Sequence, residues 1–386
     1  MRVGIVGAGQ LARMLAEAAS ALGIETVVLA ESASEGAAKT ATELKIGSPH
    51  DRAAMEDLAQ SVDVVTFDHE LVDLEIIAEL ESSGVRLSPS SSALLYAVDK
   101  AEMRSLLHAR GLPCPAFEII APGDTSSAKT LGEQFGWPFV IKAARGGYDG
   151  KGVFVVQNAT EAADVIASLH ERNITALIEE NVEIVAELAA LICRSHDGEI
   201  AAWPVVETAQ IDGVCREVLI PGSLSEQHRL EGEAIARAVG DVVGVVGIMA
   251  VELFVTKDGL LINELAMRPH NSGHWTQDGS VTSQFENHLR AVANLPLGST
   301  EVNARAVASV NIFGTQEGGS LDGFLGAGLK VEGAHIHLYG KESRKGRKLG
   351  HVTVCGSNPD DVRNAAWESA TALGTEVPHQ IGEQIK

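Results

Sequence analysis

Apolar positions recur with two different periods along this chain, and the alternation between them outlines its elements. Residues 2–6 (RVGIV) read as a strand, apolar from Val3 onward. Residues 10–22 follow with helical spacing. Leu11, Met14, Leu15, Ala18 and Leu22 share one face, and Gly23 offers a C-terminal cap. A second strand over 25–29 ends at Glu31, a third spans 62–67, and a helix over 71–80 turns Leu74, Ile77 and Leu80 inward. Strands alternating with helices predict a doubly wound parallel sheet, whose ligands sit at the carboxyl ends of its strands. Residues 7–9 and 68–70 both fall there.

Lys100 opens a short helix with Met103, Leu106 and Leu107 on one side, stopped by Gly111 and Pro113. Beyond it the pattern changes. The stretch FVIKAARGGYDGKGVFVV (139–156) reads as strand, glycine-rich loop, strand. A helix over 159–172 and a strand over 177–180 follow. Strands over 184–194 and 199–207 flank the turn His196-Asp197-Gly198, and 225–242 is an amphipathic helix. The stretch 246–265 folds back on itself at Lys257-Asp258-Gly259. After Pro296-Leu297-Gly298 come strands over 307–313, 335–339 and 348–354 and a helix over 360–373, a small α+β cap.

The loop in 139–156 contains Gly146, Gly147, Gly150 and Gly152, whose backbone N–H groups no side chain shields. Lys142 and Lys151 add charge on either side. No Gly-Lys-Ser/Thr opens a helix afterwards, so this is not a P-loop; it reads as a hairpin flap over a nucleotide triphosphate. In 246–265, a turn closed by Gly259 in the left-handed conformation pairs Thr256 with Leu260. That register sets Glu252 opposite Glu264 on one face of an apolar ribbon. A two-residue turn at Asp258-Gly259 would instead put them on opposite faces. Two neighbouring carboxylates in apolar surroundings raise each other's pKa unless a cation lies between them, and hard oxygen ligands suit Mg²⁺. Arg268, just downstream, can grip a phosphate with two parallel hydrogen bonds.

One rival reading begins at the N-terminus. Gly7-x-Gly9-x-x-Ala12 after a strand, with Glu31 some twenty residues on, satisfies the dinucleotide fingerprint of an NAD-dependent oxidoreductase. The same turn also serves as a general anion seat at a helix N-terminus. The formal net charge of −22 argues against nucleic acid or an anionic membrane as partner, so any phosphate needs a local basic pocket. The four cysteines are scattered without C-x-x-C, which indicates neither a zinc site nor a disulfide framework. With no signal-peptide pattern and no apolar run long enough to span a bilayer, a cytoplasmic location is expected.

Taken together, the glycine hairpin, Lys100, Lys142 and the paired carboxylates resemble the ATP-grasp superfamily. Within it, five motifs in order resemble the N5-carboxyaminoimidazole ribonucleotide synthetases of purine synthesis: GAGQLARM (7–14), DK (99–100), GGYDGKG (146–152), INELAMRPHNSGHWTQ (262–277) and YGKESRKGRKLGHVTV (339–354). The resemblance implies a pre-ATP-grasp α/β domain (1–99), an ATP-grasp domain (100–296, flap 143–152) and a C-terminal α+β domain (300–386). It further implies ATP and Mg²⁺, with aminoimidazole ribonucleotide and bicarbonate as substrates, and a homodimer. Another ATP-grasp ligase acting on a purine-pathway amine stays open as the alternative.

By residue, the resemblance implies that Lys100 and Lys142 contact ATP phosphates beneath Gly147, Tyr148, Asp149, Gly150, Lys151, Gly152 and Val153. Glu179, Glu180, Asn181, Val182 and Glu187 would hold adenine and ribose, with Gln210 near the nucleotide. Glu252, Asn263 and Glu264 would face Mg²⁺ and the γ-phosphate, the two glutamates as metal ligands. Tyr148, Asp149, Arg268, His270, Lys341 and Lys348 match positions facing the ribonucleotide and the carboxylation site. This sequence departs from the family pattern at Ala8 and Ala12, at Gln210, at Ala266, and at Asp68-His69-Glu70, where relatives carry Glu-x-Glu.

Overall fold

The computed structural model describes residues 1–124, 128–147, 152–211, 213–223, 225–315, 318 and 321–382. Strands β1 (Arg2–Val6), β2 (Glu25–Ala30), β3 (Glu43–Ile46) and β4 (Val64–Phe67) form a parallel sheet in the order β3-β2-β1-β4. Helix α1 (Gln10–Ala21) packs on Val3 and Ile5, whereas α2 (Arg52–Gln60) and α3 (Leu74–Ser82) pack on the opposite layer through Val6, Val27 and Leu29. Alternation along each strand thus buries both faces, as a doubly wound sheet requires. The helix expected over 71–80 starts three residues later, because the Asp73 carboxylate accepts from the backbone N–H groups of Glu75 and Ile76 and fixes the first turn there. Strand β3 and helix α2 are additions to the expected pattern.

Helices α4 (Ser91–Val98) and α5 (Lys100–Ala109) lead into a four-stranded antiparallel sheet. It consists of β5 (Phe117–Ile120), β6 (Phe139–Ala143), β7 (Val153–Val156) and β8 (Ala176–Glu180), ordered β5-β8-β6-β7. Helices α6 (Ala128–Phe135) and α7 (Ala159–Glu171) supply its apolar cover. The glycine stretch is a hairpin as read, with Phe139 opposite Val156 and Lys142 opposite Val153.

The remaining strands are β9 (Ala186–Arg194), β10 (Ile200–Ala202), β11 (Val206–Ile211), β12 (Val214–Ile220), β13 (Gly247–Thr256), β14 (Gly259–Ala266), β15 (Ala306–Phe313), β16 (Ala334–Leu338) and β17 (Lys348–Gly356). They make one antiparallel sheet in the order β14-β13-β9-β11-β12-β15-β17-β16, with β10 on β9. The three C-terminal strands therefore extend the central sheet through the β12–β15 ladder. The single strand expected over 199–207 is broken between β10 and β11. Pro204 lacks the N–H a ladder needs, and Trp203 turns inward, its Nε1 donating to Ser280 Oγ at 3.1 Å and the Thr282 carbonyl at 3.2 Å.

Helix α8 (Glu226–Val243) covers one face of this sheet. On the chain follow α9 (Thr276–Gly279), α10 (Gln284–Val292), α11 (Asp322–Gly328) and α12 (Pro359–Ala372), the last packed beneath β15 and β17. Helix α10 ties the layers together, since Phe285, Leu289 and Val292 join the core formed by α1 and β1. Among the described residues no helix is long and apolar enough to cross a membrane.

Candidate active site

The β13–β14 ribbon reaches its functional register by an unforeseen route. The turn is one residue tighter than expected: Thr256 pairs with Gly259, and Thr256 Oγ1 accepts from the Asp258 N–H. Gly259 has φ +130°, as a turn-closing glycine should. Carried down unchanged, that register would set Glu252 opposite Asn263 and leave Glu264 on the far face. A β-bulge at Glu252/Leu253 inserts the extra residue, Asn263, and restores the pairing of Glu252 with Glu264. The bulge also aims two successive side chains at the same place. Asn263 Oδ1 accepts from Lys142 Nζ at 3.0 Å, and Glu264 Oε1 from Lys100 Nζ at 2.7 Å.

Behind these groups lies a buried ionic ring. Arg104, fully inaccessible on α5, donates from Nε to Glu179 Oε1 at 2.5 Å and from Nη2 to the Asn263 carbonyl at 2.7 Å. Glu179 Oε2 holds Lys142 Nζ at 2.7 Å. Burial disfavours charge on Lys142 and Glu179 alike, and each opposes that for the other. Burial lowers the Lys142 pKa first, with Glu179 pulling it back up, whereas Arg104 and Lys142 take Glu179 below the usual carboxylate range despite burial. At the base of the flap, Asp99 caps α5 and receives Arg145 Nε at 2.6 Å, while the Lys100 N–H donates to the Ala144 carbonyl.

A second pole gathers around β14's exit. Arg268 donates from Nε to Glu70 Oε2 at 2.7 Å. His270 Nδ1 accepts from the Ser272 N–H and contacts Ser272 Oγ, which leaves Nε2–H facing Glu252 Oε1 at 3.5 Å. Burial, with Arg268 and Lys348 nearby, lowers the His270 pKa to about 3, so the ring is neutral. Lys341 reaches Gln10 Oε1 on α1, and its pKa falls to about 8 through burial and the positive Arg347 and Lys348. Lys348 opens β17. Glu252 joins the two poles: burial and Glu264 push its carboxyl up to about 7, while Arg268 and Lys348 pull the other way.

The structure brings Lys100, Lys142, Asn263, Glu264, Glu252, His270 and Arg268 into one connected set. Glu187 shares the Glu252 face of the sheet, through its pairing with Phe254. Gln210 lies on β11 beside a second bulge. Glu180 accepts from the Ala116 N–H, and Asn181 and Val182 lie in the loop after β8. Gly147 and Gly152 (φ +80°) stand on either side of residues 148–151, the Gly152 carbonyl accepts from the Ala143 N–H, and Val153 after it is exposed. Tyr148, Asp149, Gly150 and Lys151 lie outside the described residues. Arg104 and Gln10 were not singled out from the sequence. The one available signal was that Arg104 falls four residues after Lys100, on the same helical face.

Family models match the chain in three consecutive blocks: the ribonucleotide synthetase preATP-grasp domain over residues 1–98, the ATP-grasp domain over 105–285, and the phosphoribosylaminoimidazole carboxylase C-terminal domain over 307–365. The N5-carboxyaminoimidazole ribonucleotide synthase of Mycobacterium tuberculosis is 44% identical over 361 residues, covering 92% of this chain and 84% of that protein. The chain belongs to the N5-carboxyaminoimidazole ribonucleotide synthetase family. Its fold matches the crystal structure of the Thermus thermophilus synthetase with a TM-score of 0.85 at 35% identity, covering 97% of this chain and 99% of that one. The Aspergillus clavatus synthase, solved with ADP and 5-aminoimidazole ribonucleotide, matches with a TM-score of 0.85 at 27% identity, covering 97% and 98%.

Neither alternative is favoured. The glycine turn that suggested NAD has its amides answered internally: Asp68 Oδ2 accepts from the Gly9 N–H at 2.5 Å and the Ala12 N–H at 3.2 Å. A carboxylate seated on the helix N-terminus would repel a pyrophosphate there. A divalent cation, by contrast, fits the donors of this site. Glu252 and Glu264 are adjacent hard-oxygen donors on one face of the ribbon, and burial first, then Glu264, raises the Glu252 pKa to about 7. Among the described residues no group of three or more His, Cys, Asp or Glu side chains is arranged to hold a metal. Two protein carboxylates suit an ion that completes its shell with water and nucleotide phosphates.

Proposed function

We infer that this chain is an N5-carboxyaminoimidazole ribonucleotide synthase. It carboxylates 5-aminoimidazole ribonucleotide with bicarbonate, converting ATP to ADP and phosphate in purine biosynthesis. The observation that carries this reading is the seat of Glu252, which faces the lysine-linked Glu264 on one side and His270 on the other. A phosphoryl-transfer centre and an acceptor pocket meet at that residue.

Bicarbonate is a poor electrophile, and its oxygen attacks the γ-phosphorus of ATP to give carboxyphosphate and ADP. Carboxyphosphate then breaks its C–O bond, leaving CO₂ and phosphate. The exocyclic amine of the ribonucleotide adds to that carbon and loses a proton, yielding the carbamate. Lys100 and Lys142 hold the phosphates by charge and position, which phosphoryl transfer needs more than covalent help. Glu252 and Glu264, with Asn263 beside them, would hold Mg²⁺, which would supply charge neutralisation on the phosphates. Gly147, Tyr148, Asp149, Gly150, Lys151, Gly152 and Val153 would exclude water from carboxyphosphate. Glu180, Asn181, Val182, Glu187 and Gln210 line the nucleoside end. Glu179 acts from behind, since its carboxylate is taken by Arg104 and Lys142. Asp149 positions or deprotonates the amine, and Arg268 and the neutral His270 hold the carboxylating carbon's oxygens.

Lys341 and Lys348 take the 5′-phosphate. Lys341→Met is expected to raise KM for the ribonucleotide about a hundredfold with KM for ATP within threefold, the loss of one charge-assisted contact. Equal loss for both substrates would remove Lys341 from that role. Partition into domains 1–99, 100–296 and 300–386, a homodimer, and a cytoplasmic location complete the proposal, and sedimentation velocity tests the dimer. The function itself is tested by ADP release that requires aminoimidazole ribonucleotide and bicarbonate together.

A further inference from the structure

We propose that Arg104 is a positioning residue that sets the β14 bulge and the phosphate-holding lysine together, so that nucleotide and metal ion are bound as one unit. The inference rests on the nucleotide reading given above. Four groups close a ring: Arg104 to Glu179, Glu179 to Lys142, Lys142 to the Asn263 amide oxygen, and the Asn263 carbonyl back to Arg104. They come from α5, β8, β6 and β14, that is, from one helix and two different sheets.

The ring is not needed simply to bury an arginine. Asn263 is the extra residue of the bulge, and such a residue has no ladder partner on the neighbouring strand to orient its carbonyl. Arg104 supplies that donor. Without it, the strand is free to relax toward the regular register, in which Glu264 no longer faces Glu252. The planar guanidinium can answer a carboxylate and a carbonyl at once from fixed directions, which one ammonium cannot do. Its second acceptor, Glu179, carries Lys142 on the opposite oxygen. One side chain thus fixes both the cation that meets phosphate and the pair of acids that meets the metal ion.

Arg104→Lys keeps the charge and gives up the fork. ADP affinity is measured by calorimetry with and without Mg²⁺, for wild type, Arg104→Lys and the charge-neutral double variant Arg104→Met/Glu179→Gln, each after a thermal melt establishes folding. For wild type, Mg²⁺ is expected to strengthen ADP binding about tenfold, some 1.4 kcal/mol. For both variants that gain should shrink to about twofold or less, and turnover should fall at least tenfold. A residue that only stabilises the fold would lower the melting temperature and leave the Mg²⁺ gain intact. A wild-type gain retained in the folded variants therefore overturns the proposal. Absence of ribonucleotide-dependent turnover in wild type would strike the functional reading instead, while the ADP ratios still decide the role of Arg104.

Discussion

Glutamine in place of Glu264 is expected to cut turnover at least about a hundredfold, the range seen when one charge-stabilising group is removed from a preorganised site. Three losses coincide. The carboxylate pair becomes a single acid, Lys100 loses its anion at 2.7 Å, and Glu252 loses the neighbour that helps raise its pKa. The last gives a signature beyond activity. In wild type, Glu252 is held up to about 7 by burial first and by Glu264 second. Only roughly a tenth of it is ionised at pH 6, so nucleotide binding at limiting Mg²⁺ should strengthen as pH rises through 7.

The linkage to stability has the opposite sign. A carboxyl whose pKa is higher folded than unfolded makes the folded protein bind the proton more tightly. The free protein therefore loses stability as pH climbs from the ordinary carboxylate range through about 7, and Mg²⁺ with nucleotide offsets that loss. In Glu264→Gln the pH limb should move downward and the Mg²⁺ dependence should flatten. Calorimetric titration of ADP across pH 5.5–8.5 checks both, and an unmoved limb would separate Glu264 from Glu252 electrostatically.

Glu179→Gln should be the most destabilising of these changes, at about 3–5 kcal/mol, because it leaves a fully buried guanidinium without its anion. Its neighbour provides the control. Glu180 accepts a backbone N–H from Ala116 at a half-buried site, so Glu180→Gln should cost about 1 kcal/mol. The two are compared by denaturant midpoints, since a chain of several domains need not unfold in one step. Similar midpoints for both variants would mean that Arg104 finds another anion, and the ring around Lys142 would not be the unit described.

Much of this was readable in the sequence. Periodicity alone gave the parallel N-terminal sheet, the glycine hairpin, helix α8 and the C-terminal strands, because each buries a face whose pattern is local. Lys142 stood out as a charge beside the glycine loop, and Glu252 and Glu264 as carboxylates paired across an apolar ribbon. Strand β10's early end and the onset of α3 were misjudged where one residue, Pro204 or Asp73, outweighed the run around it. The three-dimensional structure decided what no local pattern encodes. Glu252 faces Glu264 through a tighter turn corrected by a bulge, two offsets that cancel and that spacing cannot distinguish from none. Arg104 looked like an ordinary helix residue until β8 and β14 closed over it, and Asp68 became the cap of α1 only when β4 lay beside β1. Contacts between residues 59 or 159 positions apart depend on where whole sheets come to rest, and that is set by the packed core.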